Sequence, residues 1–171
     1  ALTWIIIESI HQGKATALGF ASGILSGLVA VTPAAGVVQP YGALVLGIIS
    51  SLGCYMVIQA KNRIGYDDSL DAFGIHGAGG IIGALFLTFF IRPSWMAEAA
   101  AAAGGKWTVW NQLGVQALAI GVAVVFAGVM TFIIIYLLDK VIRFKANEDD
   151  EMAGLDRAYH GERGYGMLNP S

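Results

Sequence analysis

The chain has 171 residues, 56% of them hydrophobic and 13% charged, with a mean hydropathy of +0.66. Soluble domains carry about 25% charge, so the composition argues against a water-facing globule, and a formal net charge of −2 excludes a basic nucleic-acid binder. The single cysteine, Cys54, can form neither an intrachain disulfide nor a zinc cluster, while 23 glycines in so apolar a chain point to closely packed membrane helices.

Residues 1–10 are apolar except for Glu8 and cover only ~15 Å as a helix. There is no initiator methionine and no signal-peptide pattern. The expectation is a C-terminal piece of a longer protein that begins inside a membrane helix. Residues 15–60 carry no charge, a run of 46, and 107–138 form another of 32. A hydrocarbon core ~30 Å thick needs roughly 20 helical residues. The first run therefore holds two spans, 19–38 and 41–60, broken at Gln39-Pro40 and Gly42. A third span is expected near 69–91, where His76 is the only titratable group beyond Asp71. The fourth, 113–138, is long enough to tilt or project. Residues 1–139 thus form the membrane part and 140–171 a tail.

Basic residues set the orientation. Lys14, Lys61, Arg63, Lys140, Arg143 and Lys145 fall on one side, with Arg157 and Arg163 in the tail, against Arg92 and Lys106 on the other. The positive-inside rule makes the rich side cytoplasmic. The tail is then cytoplasmic, and the Ala-rich 92–110 connection faces outward.

Gly19, Gly23 and Gly27, with Ser22 and Ser26 beside them, read as a small-xxx-small helix-packing face. Gly114, Gly121 and Gly128 are read the same way on the last helix. Thr32-Pro33 interrupts the first full span. A proline there removes a backbone hydrogen bond and kinks the helix, and freed carbonyls in lipid are re-satisfied or line a polar cavity. Thr32-Pro33 therefore marks either a kink or a pathway wall.

Asp67, Asp68 and Asp71 precede the third span, where carboxylates cap free N–H groups and favour the helix dipole. A cation-attracting vestibule is the competing role. With a helix start near Ser69, His76 lies roughly 10 Å along. Its face carries Ala72, Phe73, Gly79, Gly80 and Gly83 and is expected to point into the bundle. The other face shows Ile75, Ile82, Phe86 and Phe89. A buried imidazole costs desolvation, more if charged. His76 is either a structural histidine bonded to a neighbouring helix or a pathway group, as intramembrane ionisable residues usually are.

No His, Cys or carboxylate stands three or four residues after His76, so no metal site is expected. Neither P-loop, HExxH nor GxSxG occurs, no cofactor is implied, and an enzyme is not expected because His76 has no adjacent nucleophile. His11 and His160 are read as surface residues. The tail carries Glu148, Asp149, Asp150 and Glu151, then Gly154, Gly161, Gly164 and Gly166. It has too little apolar surface to fold alone. It is either a disordered end or a regulatory segment that docks through Leu155, Tyr159, Tyr165 and Met167.

The stretch Asp67-Asp68-Ser69-Leu70-Asp71-Ala72-Phe73-Gly74-Ile75-His76-Gly77 resembles the second-half signature of the ammonium transporter family (Amt/Mep/Rh). Gly13-Lys14, Gly19-Phe20-Ala21-Ser22-Gly23, Val31-Thr32-Pro33-Ala34-Ala35-Gly36 and Tyr41-Gly42-Ala43-Leu44-Val45 agree with it. Gly154-Leu155-Asp156, His160-Gly161-Glu162 and Tyr165 resemble the family's cytoplasmic tail motif, on the bacterial Amt side. The resemblance covers nearly the whole chain.

It implies an all-α integral membrane protein, the C-terminal portion of an eleven-helix inverted-repeat bundle. It also implies homotrimers in the cell (inner) membrane, ammonium/ammonia as substrate, and a PII-type signalling protein at the tail. By the same resemblance, His76 is one of a pair of pore histidines, its partner lying in the N-terminal half. Phe73, Ala72 and Leu25 would lie near the inner part of an apolar pore, and Thr32 on the pore-side helix. Asp71 would serve helix capping and the cytoplasmic mouth. Two rival readings stand beside transport: an ammonium sensor signalling through its tail, and a structural half with no pathway of its own.

Overall fold

The computed structural model describes residues 1–142 and 145–162. The chain divides into two compact units, Ala1–Val122 and Ala123–Ser171. The first unit is built from α1 (Leu2–Gln12), α2 (Ala17–Val31), α3 (Pro40–Ile64), α4 (Ala78–Phe86) and α5 (Pro93–Ala102). A long helix, α6 (Val109–Ile142), belongs to both units, and α7 (Glu148–Ala153) follows in the second.

Local chemistry sets the breaks. Helix α1 stops at Gly13, whose φ of 77° is the left-handed region glycine enters freely. Thr16 then caps α2, its side chain accepting from the Gly19 N–H at 2.9 Å. Thr16 is itself held by the buried carboxylate of Glu8, which accepts from its N–H at 3.0 Å and from its hydroxyl at 2.9 Å. Pro33 tightens the end of α2 into a 3₁₀ turn, Thr32–Ala34, and Pro40 opens α3 at a position where a missing N–H is harmless.

Helices α1 to α4 pack together, and the contacts are made at small residues. A methyl added to Gly23 would meet Trp4 Cβ at 2.6 Å, and one added to Gly19 would collide with the Glu8 carboxylate. At Gly79 it would press on Val29, Cys54 and Ser50. At Gly83 it would strike the backbone oxygen of Ala30. Such backbone approach is how helices associate when lipid supplies no hydrophobic contrast. Trp4, Cys54, Tyr55, Ile58, Ile75 and Ala78 form one core cluster; Ala34, Val38, Leu46 and Leu87 form a second. Between them the buried Ser50 hydroxyl donates to the Ser26 carbonyl at 2.8 Å, a polar tie from α3 to α2. At one end of the unit Val38 pairs with Ile91, and the Arg92 N–H donates to the Val37 carbonyl at 3.1 Å.

Among the described residues, three helical stretches are long and apolar enough to cross a membrane: Ala17–Ala34, Pro40–Ile64 and Val109–Ile142. The helical run around α4, Phe73–Phe89, is shorter, against 69–91 expected. Its start is delayed by the turn at Asp71 and its end is cut by the Val38–Ile91 pairing. The Ala-rich connection holds α5, which apolar periodicity did not announce. No residue of α6 is buried. Methyls on Gly114, Gly121 and Gly128 would meet nothing within 4 Å, so the packing expected of them finds no partner among the described residues.

In the second unit Phe132 stacks on Tyr136 at 6.1 Å, and Lys140 lies 4.3 Å from the Tyr136 ring centroid. Asp150 accepts from Tyr159 at 3.1 Å and from Asn147 at 3.3 Å, tying α7 to the turn Asp156–His160.

Candidate functional site

His76 lies inside a π-turn, Phe73–Gly77, that leads into α4. Single π-turns insert one residue into a helix and often mark functional positions. Ile75 is buried at 4% exposure, with Ala78, Gly79 and Gly83 also on the packed face. His76 and Gly80 instead open onto a cleft of about 450 Å³ lined with Val29, Thr32 and Pro33.

This corrects the expected helix faces. Gly79 and Gly83 belong with Ile75 against α2 and α3, and His76, expected to point into the bundle, is exposed and shares its face with Gly80. Ile75, Gly79 and Gly83 recur every four residues, as do His76 and Gly80, so the ordinary helical register holds from the histidine onward; the packed face lies along the Ile75 row, with His76 at its edge. No hydrogen bond holds the imidazole among the described residues. The structural alternative, a histidine tied to a neighbouring helix, finds no such tie there.

Thr32 reaches the cleft because Pro33 ends α2 beside it; its hydroxyl donates back to the Leu28 carbonyl at 2.7 Å. The wall is thus almost wholly apolar, with the imidazole its one titratable group. Phe73, Ala72 and Leu25 do not line this cleft. All three are exposed, and Phe73 meets Tyr66 edge-on at 6.3 Å.

The three aspartates separate into three roles. Asp68 caps the helix start, its carboxylate accepting from the N–H groups of Ala72 at 2.8 Å, Phe73 at 3.0 Å and Gly74 at 3.3 Å. Asp71 does not cap with its side chain. It takes a φ of 53° and pairs with Lys61 at 2.6 Å. Asp67 accepts from the Ser69 hydroxyl at 3.3 Å.

Sequence reasoning missed Lys61, because its partner stands ten residues away across a turn. It also passed over Glu8 and Tyr55. Glu8 carried a visible signal, a lone carboxylate in an apolar helix. His11 shares a 2.8 Å hydrogen bond with Tyr55. Among the described residues no group of His, Cys, Asp and Glu is arranged to hold a metal ion.

In the second unit Gly154, at φ 89°, precedes Leu155 and the turn Asp156–His160. Gly161, at φ 66°, ends that turn, and the Glu162 N–H donates to the Asp156 carbonyl at 3.1 Å. Tyr165, with Arg163, Gly164, Gly166 and Met167, lies outside the described residues, as does Arg143.

The model of the Ammonium Transporter Family matches residues 1–165. An ammonium transporter of Bacillus subtilis is 39% identical over 165 residues, 95% of this chain and 40% of that protein. One of Aquifex aeolicus is 37% identical over 168 residues, covering 98% and 38%. Among solved structures, Saccharomyces cerevisiae Mep2 superposes with a TM-score of 0.73 at 30% identity, covering 86% of this chain and 34% of that one. A structure described as a sensor Amt protein gives 0.79 at 28% identity, covering 92% and 38%. The chain spans about two-fifths of the length of the curated relatives it matches. That family is one of transporters rather than an enzyme class. A match over nearly the full chain, together with an all-α fold of apolar helices shared with Mep2 and Amt structures, makes this a membrane protein that belongs to the ammonium transporter family.

Proposed function

We propose that the chain forms the C-terminal part of an eleven-helix channel that carries ammonium and ammonia across the membrane, with His76 as one of two pore histidines. The observation that carries this reading is the imidazole, unbonded among the described residues, opening onto an apolar cleft between Thr32-Pro33 and Gly80. The second histidine comes from the N-terminal half of the same transporter.

Stripping water from ammonium in an apolar pore is costly, as for any buried cation. The imidazole pair offers hydrogen-bond acceptors there, takes up the proton ammonium releases and passes that proton along the pair to the inner side. Ammonia crosses the dry segment and regains a proton on the inner side. Potassium has no proton to shed and is excluded. Phe73, Ala72 and Leu25 narrow the path toward its inner end, and Asp67, Asp68 and Asp71 shape its cytoplasmic mouth. The transporter works as a homotrimer in the cell membrane with a cytoplasmic C-terminus. Its tail, through Gly154, Leu155, Asp156, His160, Gly161, Glu162 and Tyr165, meets a PII-type signalling protein.

The test is uptake of labelled methylammonium into proteoliposomes holding the whole transporter. Loss of one charge-assisted acceptor, worth about 1.5–3 kcal/mol, slows flux about ten- to a hundredfold in His76→Ala. Unchanged uptake would remove His76 from the pathway. A sensor is the second reading, favoured by the likeness to the structure described as a sensor Amt protein. A whole protein that binds ammonium yet shows no uptake would establish it.

A further inference from the structure

Lys61 lies in the last turn of α3 with its side chain only 10% exposed. Lysine is almost never so enclosed unless paired. Its ammonium donates twice, to Asp71 Oδ1 at 2.6 Å and to the backbone carbonyl of Asp68 at 2.6 Å. One cation therefore grips both ends of the turn that starts the His76 helix. Asp71 in that turn has a φ of 53°, a conformation few non-glycine residues adopt. Aspartate enters that region more readily than most side chains, and the ion pair with Lys61 holds its carboxylate there. With the turn held, the Asp68 carboxylate is placed on the N–H groups of Ala72, Phe73 and Gly74.

The other end of the segment is fixed separately, by Gly79 and Gly83 pressed against α2 and α3. Between two fixed ends the chain has one residue more than an α-helix accommodates, and the π-turn Phe73–Gly77 absorbs it. We infer that Lys61 is a positioning residue: by clamping Asp68 and Asp71 it holds the π-turn, and with it the angle at which His76 faces the cleft. If the clamp is released, the π-turn relaxes toward an α-turn. The turn contains His76, so its backbone re-forms around that residue and His76 loses its setting relative to Thr32. Lys61 itself touches no substrate. The inference rests on the reading of His76 as the group that handles ammonium.

The experiment uses the whole transporter in proteoliposomes and compares ammonium with methylammonium flux per folded transporter. Lys61→Met and Asp71→Asn are expected to change that ratio about tenfold, the scale on which misplacing a reacting group acts. Lys61→Arg, whose guanidinium reaches both acceptors, restores it. In a His76→Ala background, Lys61→Met adds nothing further, because the two act through one group. Variants that lower only folded yield or melting temperature, with the ratio intact, overturn the inference, as does an undiminished Lys61 effect on top of His76→Ala. Should Lys61→Met not fold, Asp71→Asn decides, since asparagine tolerates positive φ. A His76→Ala transporter with an unaltered ratio defeats the reading of His76 instead, so the two failures are distinct.

Discussion

Replacing Gly83 by alanine drives a methyl group into the backbone of α2. The new Cβ would collide with the carbonyl oxygen of Ala30 and stand 2.7 Å from its Cα and 2.8 Å from its carbonyl carbon. All three are main-chain atoms, so no rotamer change relieves the clash, and α2 and α4 must separate. Gly80, three residues earlier, is the matched control, because a methyl there meets nothing within 4 Å. Glycine to alanine inside a helix otherwise stabilises by about 0.5–1 kcal/mol. That contribution is common to both variants and cancels in their difference. What remains is overpacking, about 1–3 kcal/mol against Gly83→Ala. Unfolding of the whole transporter in detergent should show Gly80→Ala at or slightly above the parent and Gly83→Ala well below it. Gly80→Ala should nonetheless reduce ammonium flux, since its methyl fills the cleft beside His76. Equal stability of the two variants would refute the claim that Gly83 exists for close approach of α2 and α4.

Two further perturbations test other parts of the fold. Glu8→Ala leaves the Thr16 N–H and hydroxyl without their carboxylate acceptor and is expected to cost about 1.5–3 kcal/mol, as for hydrogen bonds to a charged group, whereas Glu8→Gln keeps an acceptor and costs less; equal melting of the two variants would contradict the role given to Glu8. Asp68→Ala removes the cap on Ala72, Phe73 and Gly74 and should cost about 1–2 kcal/mol, with faster amide exchange confined to those three residues, while Asp68→Asn retains most of the protection.

Membrane character was legible because charge-free runs of 46 and 32 residues leave a chain no other solvent. Glycine spacing in α2 was legible too, as Gly19 and Gly23 do meet α1. The seven-residue glycine repeat of α6 announces a packing face without saying which chain supplies the partner, and none of the described residues supplies it. The neighbours of His76 were misassigned for a geometric reason. Residues three and four along a helix from a given position spread over about 100°, and periodicity alone does not say where in that arc the packed face ends. Roles built on long-range pairs, Lys61 with Asp71 and Glu8 with Thr16, depend on turns whose geometry the intervening residues do not announce. The Thr32-Pro33 break was readable from proline chemistry alone, and the structure places it across the cleft from Gly80 and His76.

Transport by this route requires the imidazole of His76 to lie on the ammonium path. The ratio of ammonium to potassium flux through the whole transporter, compared between the parent and His76→Ala, tests this directly. A group that accepts the proton of ammonium makes that ratio collapse by about tenfold or more when it is removed. A ratio that survives the substitution unchanged, in a transporter that still assembles and conducts, contradicts the account.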